Sequence, residues 1–160
     1  GAGVLLRSRN ESGQLVCLLS READTGEWRD LGGSPEGKEG PLDTACREAS
    51  EESNGLLGSA DDIKKMIKRR SGRVIVSEAG RYTTYVVDVP FSSLKSFTSY
   101  FNNSIRFLDA HFDCARRTEG LMEKTRARMV NLAQAKRLAV PKWYRSVVIT
   151  ALGGKSASRN

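Results

Sequence analysis

Apolar residues gather at Val4-Leu5-Leu6 and again at Leu15-Val16-Cys17-Leu18-Leu19, with the turn-like Asn10-Glu11-Ser12-Gly13 between them. That pattern predicts a β-hairpin. A Gly-rich loop follows, then a helix from about Leu42 to Ser53 that opens after Pro41 and stops at Asn54-Gly55. A short basic helix is expected over Asp61–Arg70, with Asp61 or Asp62 near its N-terminus, where the helix dipole favours a carboxylate. Strands are expected over Arg73–Glu78 and Tyr82–Val89, the second ended by Pro90. Over residues 92–115, Leu94, Phe97, Phe101, Ile105, Leu108 and Phe112 recur at helical spacing, which assigns these aromatics to a core; a break is expected near Asn102-Asn103. Arg128–Leu132 reads as another strand, with a helix after it and a last one around Lys142–Leu152. The resulting order is α+β, with helices on both sides of a mixed sheet.

The 160 residues suffice for one domain with its own core and are too few for two ordinary ones, so a single unit over 1–153 is expected, with 154–160 as a disordered Gly/Ser/Lys tail. No apolar run approaches the 18 or more residues of a membrane span, which excludes a helical transmembrane protein. The chain opens without Met or a basic-then-apolar leader, as an excised domain or processed chain does. Cys17, Cys46 and Cys114 are far apart and odd in number, so a reducing compartment is expected, the cytoplasm first and the nucleus second. A single histidine, His111, removes every site that needs two or three His ligands, and is read as an ordinary helix-face residue. The net charge of +7 is uneven. Residues 1–60 hold 6 Lys+Arg against 11 Asp+Glu, net −5, and residues 61–160 hold 20 against 8, net +12. Bringing those halves together sets a carboxylate cluster beside a basic surface, which suits a metal-bound polyanionic ligand.

The chemistry concentrates in GGSPEGKEGPLDTACREASEESNG, residues 32–55. On a helix Glu48, Glu51 and Glu52 stand at i, i+3 and i+4 and share one face. Unrelieved, that crowding is repulsive and raises carboxylate pKa values, so a divalent cation with oxygen ligands is the natural partner. By the same reasoning, neutralising Glu51 or Glu52 should leave stability in chelator unchanged or raise it. Arg47 is placed to pair with Glu51 at i+4, Gly32-Gly33 lets a backbone carbonyl approach the same cation, and the small Ala45, Cys46 and Ala49 let the helix pack closely on a sheet. For the REASEE stretch alone, a solvated acidic helix face is the better explanation. The longer pattern of six specified residues would arise by chance in roughly one chain of this length in a hundred thousand.

That pattern resembles the Nudix box of the Nudix (MutT-like) hydrolases, Gly-x5-Glu-x7-Arg-Glu-U-x-Glu-Glu-x-Gly-U with U apolar. Gly33, Glu39, Arg47, Glu48, Glu51 and Glu52 match, with Ala49 at the first U, and Trp28-Arg29-Asp30-Leu31-Gly32-Gly33 is similar to the family's approach to its box. Two positions depart from it: Asn54 stands where the closing Gly is usual, and Gly55 at the final U. Asn tolerates the left-handed conformation a helix end needs, so the turn is expected to survive.

The resemblance implies a Nudix fold, an α/β/α sandwich with a mixed β-sheet between helices, and Mg²⁺- or Mn²⁺-dependent hydrolysis of a diphosphate linkage. Carried over residue by residue, Glu51 and Glu52 are metal ligands, the Gly32 carbonyl is another, Glu48 is a ligand or the general base, and Arg47 and Glu39 are supports. Glu123, in a stretch similar to the family's downstream segment, is the candidate extra ligand or base, with Glu119 second. Two basic clusters are candidates for holding the rest of the substrate. One comprises Lys64, Lys65, Lys68, Arg69, Arg70 and Arg73, the other Arg116, Arg117, Lys124, Arg126 and Arg128. Trp28, Tyr82 and Tyr85 are candidates for stacking on a base, against the commoner packing role of strand aromatics. The expected partner is a phosphorylated small molecule or the 5′ cap of RNA, toward which the basic half inclines the reading. The alternative is a Nudix-fold module that binds RNA or nucleotide with little turnover. Nothing in the sequence sets the oligomeric state.

Overall fold

The computed structural model describes residues 1–70, 72–112 and 122–154. Its hairpin is β1 (Ala2–Arg9) and β2 (Leu15–Glu22), paired antiparallel from Arg7↔Cys17 to Arg9↔Leu15. Alternate residues serve opposite faces. Val4, Leu6, Val16 and Leu18 enter one core, whereas Leu5, Cys17 and Leu19 enter the other. Both faces are therefore covered by helices.

Two short strands that the sequence pattern does not predict come next, β3 (Trp28–Arg29) and β4 (Leu31–Gly33). β3 extends the pairing of β2, and β4 lies antiparallel to the start of β1 with Gly3↔Gly32 in register. The helix α1 (Pro41–Glu52) begins on its proline and ends where Asn54 and Gly55 turn left-handed, at φ 52° and 76°. The slipped glycine thus leaves the helix end intact. α2 (Ala60–Arg69) is closed at its start by a reciprocal cap between Ser59 and Asp62.

Strands β5 (Val74–Val76) and β6 (Thr83–Asp88) follow, and β6 runs parallel to β1 from Ala2↔Thr83 to Arg7↔Asp88, which makes the sheet mixed. The expected break near Asn102-Asn103 does not occur: α3 (Phe91–His111) is continuous. Asn102 uses its amide elsewhere, donating to the Ala127 carbonyl at 2.9 Å and accepting from the Ala127 N–H at 2.8 Å. It thereby satisfies the backbone of β7 (Lys124–Val130), an outer strand paired with β2. β7 starts four residues before the expected Arg128, and Leu132 already belongs to the short α4 (Leu132–Ala135). α5 (Lys142–Ala151) completes the chain's order.

α1, α2 and α3 cover one face through Ala45, Cys46, Ala49, Ile63, Leu94, Phe101 and Ile105, and α5 covers the other through Tyr144, Val147 and Val148. Phe112, assigned above to the core stripe, is 61% exposed. His111 ends α3 in solvent, its ring 4.7 Å from that of Phe107. Cys17 and Cys46 are buried free thiols; Cys114, Arg116, Arg117, Glu119 and residues 155–160 lie outside the described residues. Among the described residues, no helix is long and apolar enough to cross a membrane.

Candidate active site

α1 reaches the sheet through Ala45, Cys46 and Ala49, all fully buried, so its backbone lies close to β1 and β4. That closeness sets the positions of the carboxylates. Two glycines of β4 permit it for different reasons. A Cβ at Gly32 would meet the Gly3 Cα at 2.4 Å and the Ala2 carbonyl at 2.5 Å, so the strand pairing itself requires glycine. A Cβ at Gly33 would lie 2.5 Å from Glu48 Oε1, the space that this carboxylate fills.

The carboxylates form an outer and an inner group. In the outer group the Arg47 guanidinium donates to Glu39 Oε1 at 3.0 Å, Glu51 Oε2 at 3.0 Å, Glu48 Oε1 at 3.1 Å and the Ser34 carbonyl at 2.8 Å. The expected Arg47–Glu51 pair is therefore one branch of a three-carboxylate clasp. Hydrogen bonding from Arg47, helped by the Glu36 N–H, holds the Glu39 carboxyl down at about 2. Burial pushes the Glu48 carboxyl up, against the pull of Arg47, and the charges of Glu51 and Glu123 push it further.

In the inner group Glu52, 3% exposed, accepts from the Gly32 N–H at 2.7 Å through Oε2 and pairs with Lys124 Nζ at 3.1 Å through Oε1. Burial pushes its carboxyl up, opposed by Lys124 and by the Gly32 N–H. Lys124 also binds Glu22, which in turn accepts from Arg29 Nε at 2.7 Å. Charges thus alternate Arg29, Glu22, Lys124, Glu52 across β3, β2, β7 and α1. Beside them the buried Asp30 carboxylate accepts from the Tyr82 hydroxyl at 2.8 Å and from Thr84 at 3.3 Å, and burial raises its pKa.

Solved structures share this architecture. The chain aligns with a C. elegans Ap4A hydrolase binary complex at TM-score 0.54 and 15% identity, over 93% of this chain and 92% of that one. With a mutT/nudix family protein from Listeria innocua the TM-score is 0.55 at 17% identity, over 96% and 92%. The chain has the Nudix fold. No family model matches it, and no curated protein matches it by sequence.

Within the Nudix fold the box residues converge as the spacing predicts: Glu39, Arg47, Glu48 and Glu51 meet directly, and Glu52 lies behind them on the Gly32 amide. Among the described residues no group of three or more His, Cys, Asp or Glu stands ready as a metal cage, because Arg47 and Lys124 hold the carboxylates instead. The donor chemistry still suits Mg²⁺ or Mn²⁺: hard carboxylate oxygens, with three of them in the outer group facing one guanidinium. Glu123 sits beside Lys124 at a 420 Å³ cavity also lined by Glu22, Ala23 and Asp24, close enough for its charge to act on Glu48.

Other candidates lie elsewhere. Lys124, assigned to a basic surface by its neighbours in sequence, is fully buried because two carboxylates neutralise it; Arg126 and Arg128 are exposed. Trp28 is only 9% exposed and packs in the α5-side core, and Tyr85 packs on the α1 side. Trp28 therefore offers no free face for a base, whereas Tyr85 is half-buried. An exposed aromatic beside this network is Trp143, 42% exposed, with its ring 5.1 Å from that of Tyr82 and Arg29 5.7 Å from its centre. Its signal was present in the sequence: it falls off the apolar stripe of Tyr144, Val147, Val148 and Ala151.

The basic cluster of α2 lies at the far end of α1. Lys64 pairs with Asp43 at 2.6 Å in the first turn of α1, and Arg70 reaches the Asp88 carbonyl, whereas Glu51 and Glu52 occupy the last turn. At 1.5 Å per residue Asp43 and Glu51 are separated by about 12 Å along the helix. Lys65, Arg69 and Arg70 line an open 590 Å³ depression there, and Lys68 is exposed.

Proposed function

We propose that this chain hydrolyses a diphosphate linkage in a nucleotide substrate with Mg²⁺ or Mn²⁺. The observation that carries the proposal is the convergence of Arg47, Glu39, Glu48 and Glu51 over the Gly32-Gly33 strand, with Glu52 bound to the Gly32 amide, in a Nudix fold. Glu48, Glu51, Glu52 and the Gly32 carbonyl would hold the cation, with Glu123 as a further ligand. A divalent cation bound there neutralises phosphate charge and acidifies water.

The chain's own residues supply the remaining work. Arg47 fixes the directions of Glu48 and Glu51 from one planar group. Glu48, half-buried and raised in proton affinity, accepts the proton of the attacking water, and Glu123 is the second candidate for that role. Trp143 provides the exposed ring beside Tyr82 on which a base can stack.

The placement of α2 favours a small nucleotide over an extended polyanion, since its cations and the carboxylates occupy opposite ends of α1. Dinucleoside polyphosphates come forward as a class because one structure of the same fold is named an Ap4A hydrolase. A panel of nucleoside di- and triphosphates, dinucleoside polyphosphates, nucleotide sugars and capped RNA, assayed with Mg²⁺, Mn²⁺ and chelator, tests the reading. Release of products split at a P–O–P linkage only with metal supports it. Tight nucleotide binding without turnover would instead establish the binding-module alternative.

A further inference from the structure

The inner and outer groups differ in charge balance. Outside, the single Arg47 faces Glu39, Glu48 and Glu51, with Glu36 3.7 Å away, four carboxylates against one cation. Inside, Arg29 and Lys124 face Glu22 and Glu52, with the buried Asp30 carboxylate beside them, three carboxylates against two cations. Lys124 is the centre of that balance: its side chain is wholly buried, and it touches carboxylates from β2 and α1 at once. Both Glu52 oxygens are engaged, one by Lys124 and the other by the Gly32 N–H.

We infer that Lys124 is a built-in cation that stands in for a divalent ion at the Glu22–Glu52 end of the site, so that added metal is directed to the outer Glu48–Glu51 side. This rests on the metal-dependent reading above and revises it at one residue: Glu52, held by Lys124 and the Gly32 N–H, orients the site and does not bind the added ion. The ammonium is a fixed point charge that cannot leave with product, so it keeps Glu52 and the β4 strand in position whether or not metal is bound. A divalent ion arriving between Glu22 and Glu52 meets a site whose charge is nearly balanced and must displace a buried cation, whereas the outer group is short of three positive charges. Lys124 is thus a positioning residue acting through Glu52.

Calorimetric and electron-spin-resonance titrations of the intact chain with Mn²⁺ test this without any substrate. The wild-type chain should bind about one Mn²⁺, and Lys124→Met should bind about two, because it uncovers the inner carboxylates. Lys124→Arg should return the count to about one. The thermal midpoint of Lys124→Met should fall in chelator and recover on adding Mn²⁺, which a purely structural lysine would not show. If Lys124→Met fails to fold, the wild-type and Lys124→Arg counts decide. Two ions bound to wild type, or a folded Lys124→Met with unchanged count and affinity, overturn the inference while leaving metal-dependent hydrolysis standing. No Mn²⁺ bound by any variant overturns both.

Discussion

Lys124 Nζ lies 3.1 Å from Glu52 Oε1, and the two side chains are 0% and 3% exposed. That pair reverses an expectation drawn from carboxylate crowding, in which neutralising Glu52 relieves repulsion. Glu52→Gln removes one partner of a buried pair without stranding the other, so it should cost about 1.5–3 kcal/mol even in chelator, as loss of a buried hydrogen bond between charged groups does. Glu22 remains to hold the ammonium. Thermal unfolding in chelator, with a midpoint lowered by roughly 3–12 °C, is the check. An unchanged or raised midpoint would mean that the pair adds nothing.

Glu51→Gln should behave differently. Glu51 is 40% exposed and its ion pair is with Arg47, one turn back on α1, so stability should stay within about 0.5 kcal/mol of wild type. Turnover should nevertheless fall by about 10²-fold, since an amide keeps the shape and removes the ligand charge. Comparing kcat with the unfolding midpoint in the same preparation separates the two effects. A variant as active as wild type at limiting metal would place the site elsewhere.

Adjacent glycines should fail for different reasons. Gly33→Ala presses only on the end of the Glu48 side chain, so the fold should persist while turnover falls by about 10²-fold. Gly32→Ala presses on the backbone of Gly3 and Ala2, so it should lower the unfolding midpoint and loosen Glu52 together. Equal effects of both on stability would contradict the separation of roles.

Acid stability should report the clasp through Glu39. Its folded-state pKa, about 2, lies below the ordinary carboxylate value, so its contribution is present above pH 4–5 and is lost as pH falls toward 2. Glu39→Gln lacks that contribution, so its urea midpoint should fall less steeply than wild type over this window. Superimposable profiles would show that Arg47 does not hold Glu39 in solution.

Neutralising Lys64, Lys65, Lys68 and Arg69 together probes the far end of α1. A small nucleotide held at Glu48 and Glu51 should keep its KM and its salt dependence, because these cations do not reach it. A binding-salt slope reduced by roughly 0.7–0.9 per lost contact, measured with capped RNA, would instead restore the long-polyanion reading.

What the sequence made legible was what local chemistry marks. Pro41 and Asn54-Gly55 bracket α1 nearly to the residue, and the i, i+3, i+4 spacing places Glu48, Glu51 and Glu52 correctly relative to Arg47. β3 and β4 escaped because two or three residues carry no alternation. Asn102 looked like a helix breaker because its partner, the Ala127 backbone, lies 25 residues away. Lys124 was hidden most completely. In a run of basic residues it reads as surface, and the partners that bury it, Glu22 and Glu52, belong to distant parts of the chain.

The most direct test of the account is chromatographic analysis of the products that wild type and Glu51→Gln release from dinucleoside polyphosphates and nucleoside triphosphates, with Mn²⁺ and then with chelator. The account predicts cleavage at a P–O–P linkage by wild type, lost in chelator and reduced about 10²-fold in the folded Glu51→Gln variant. Cleavage that survives chelator, or equal rates for the two proteins at limiting metal, would contradict it.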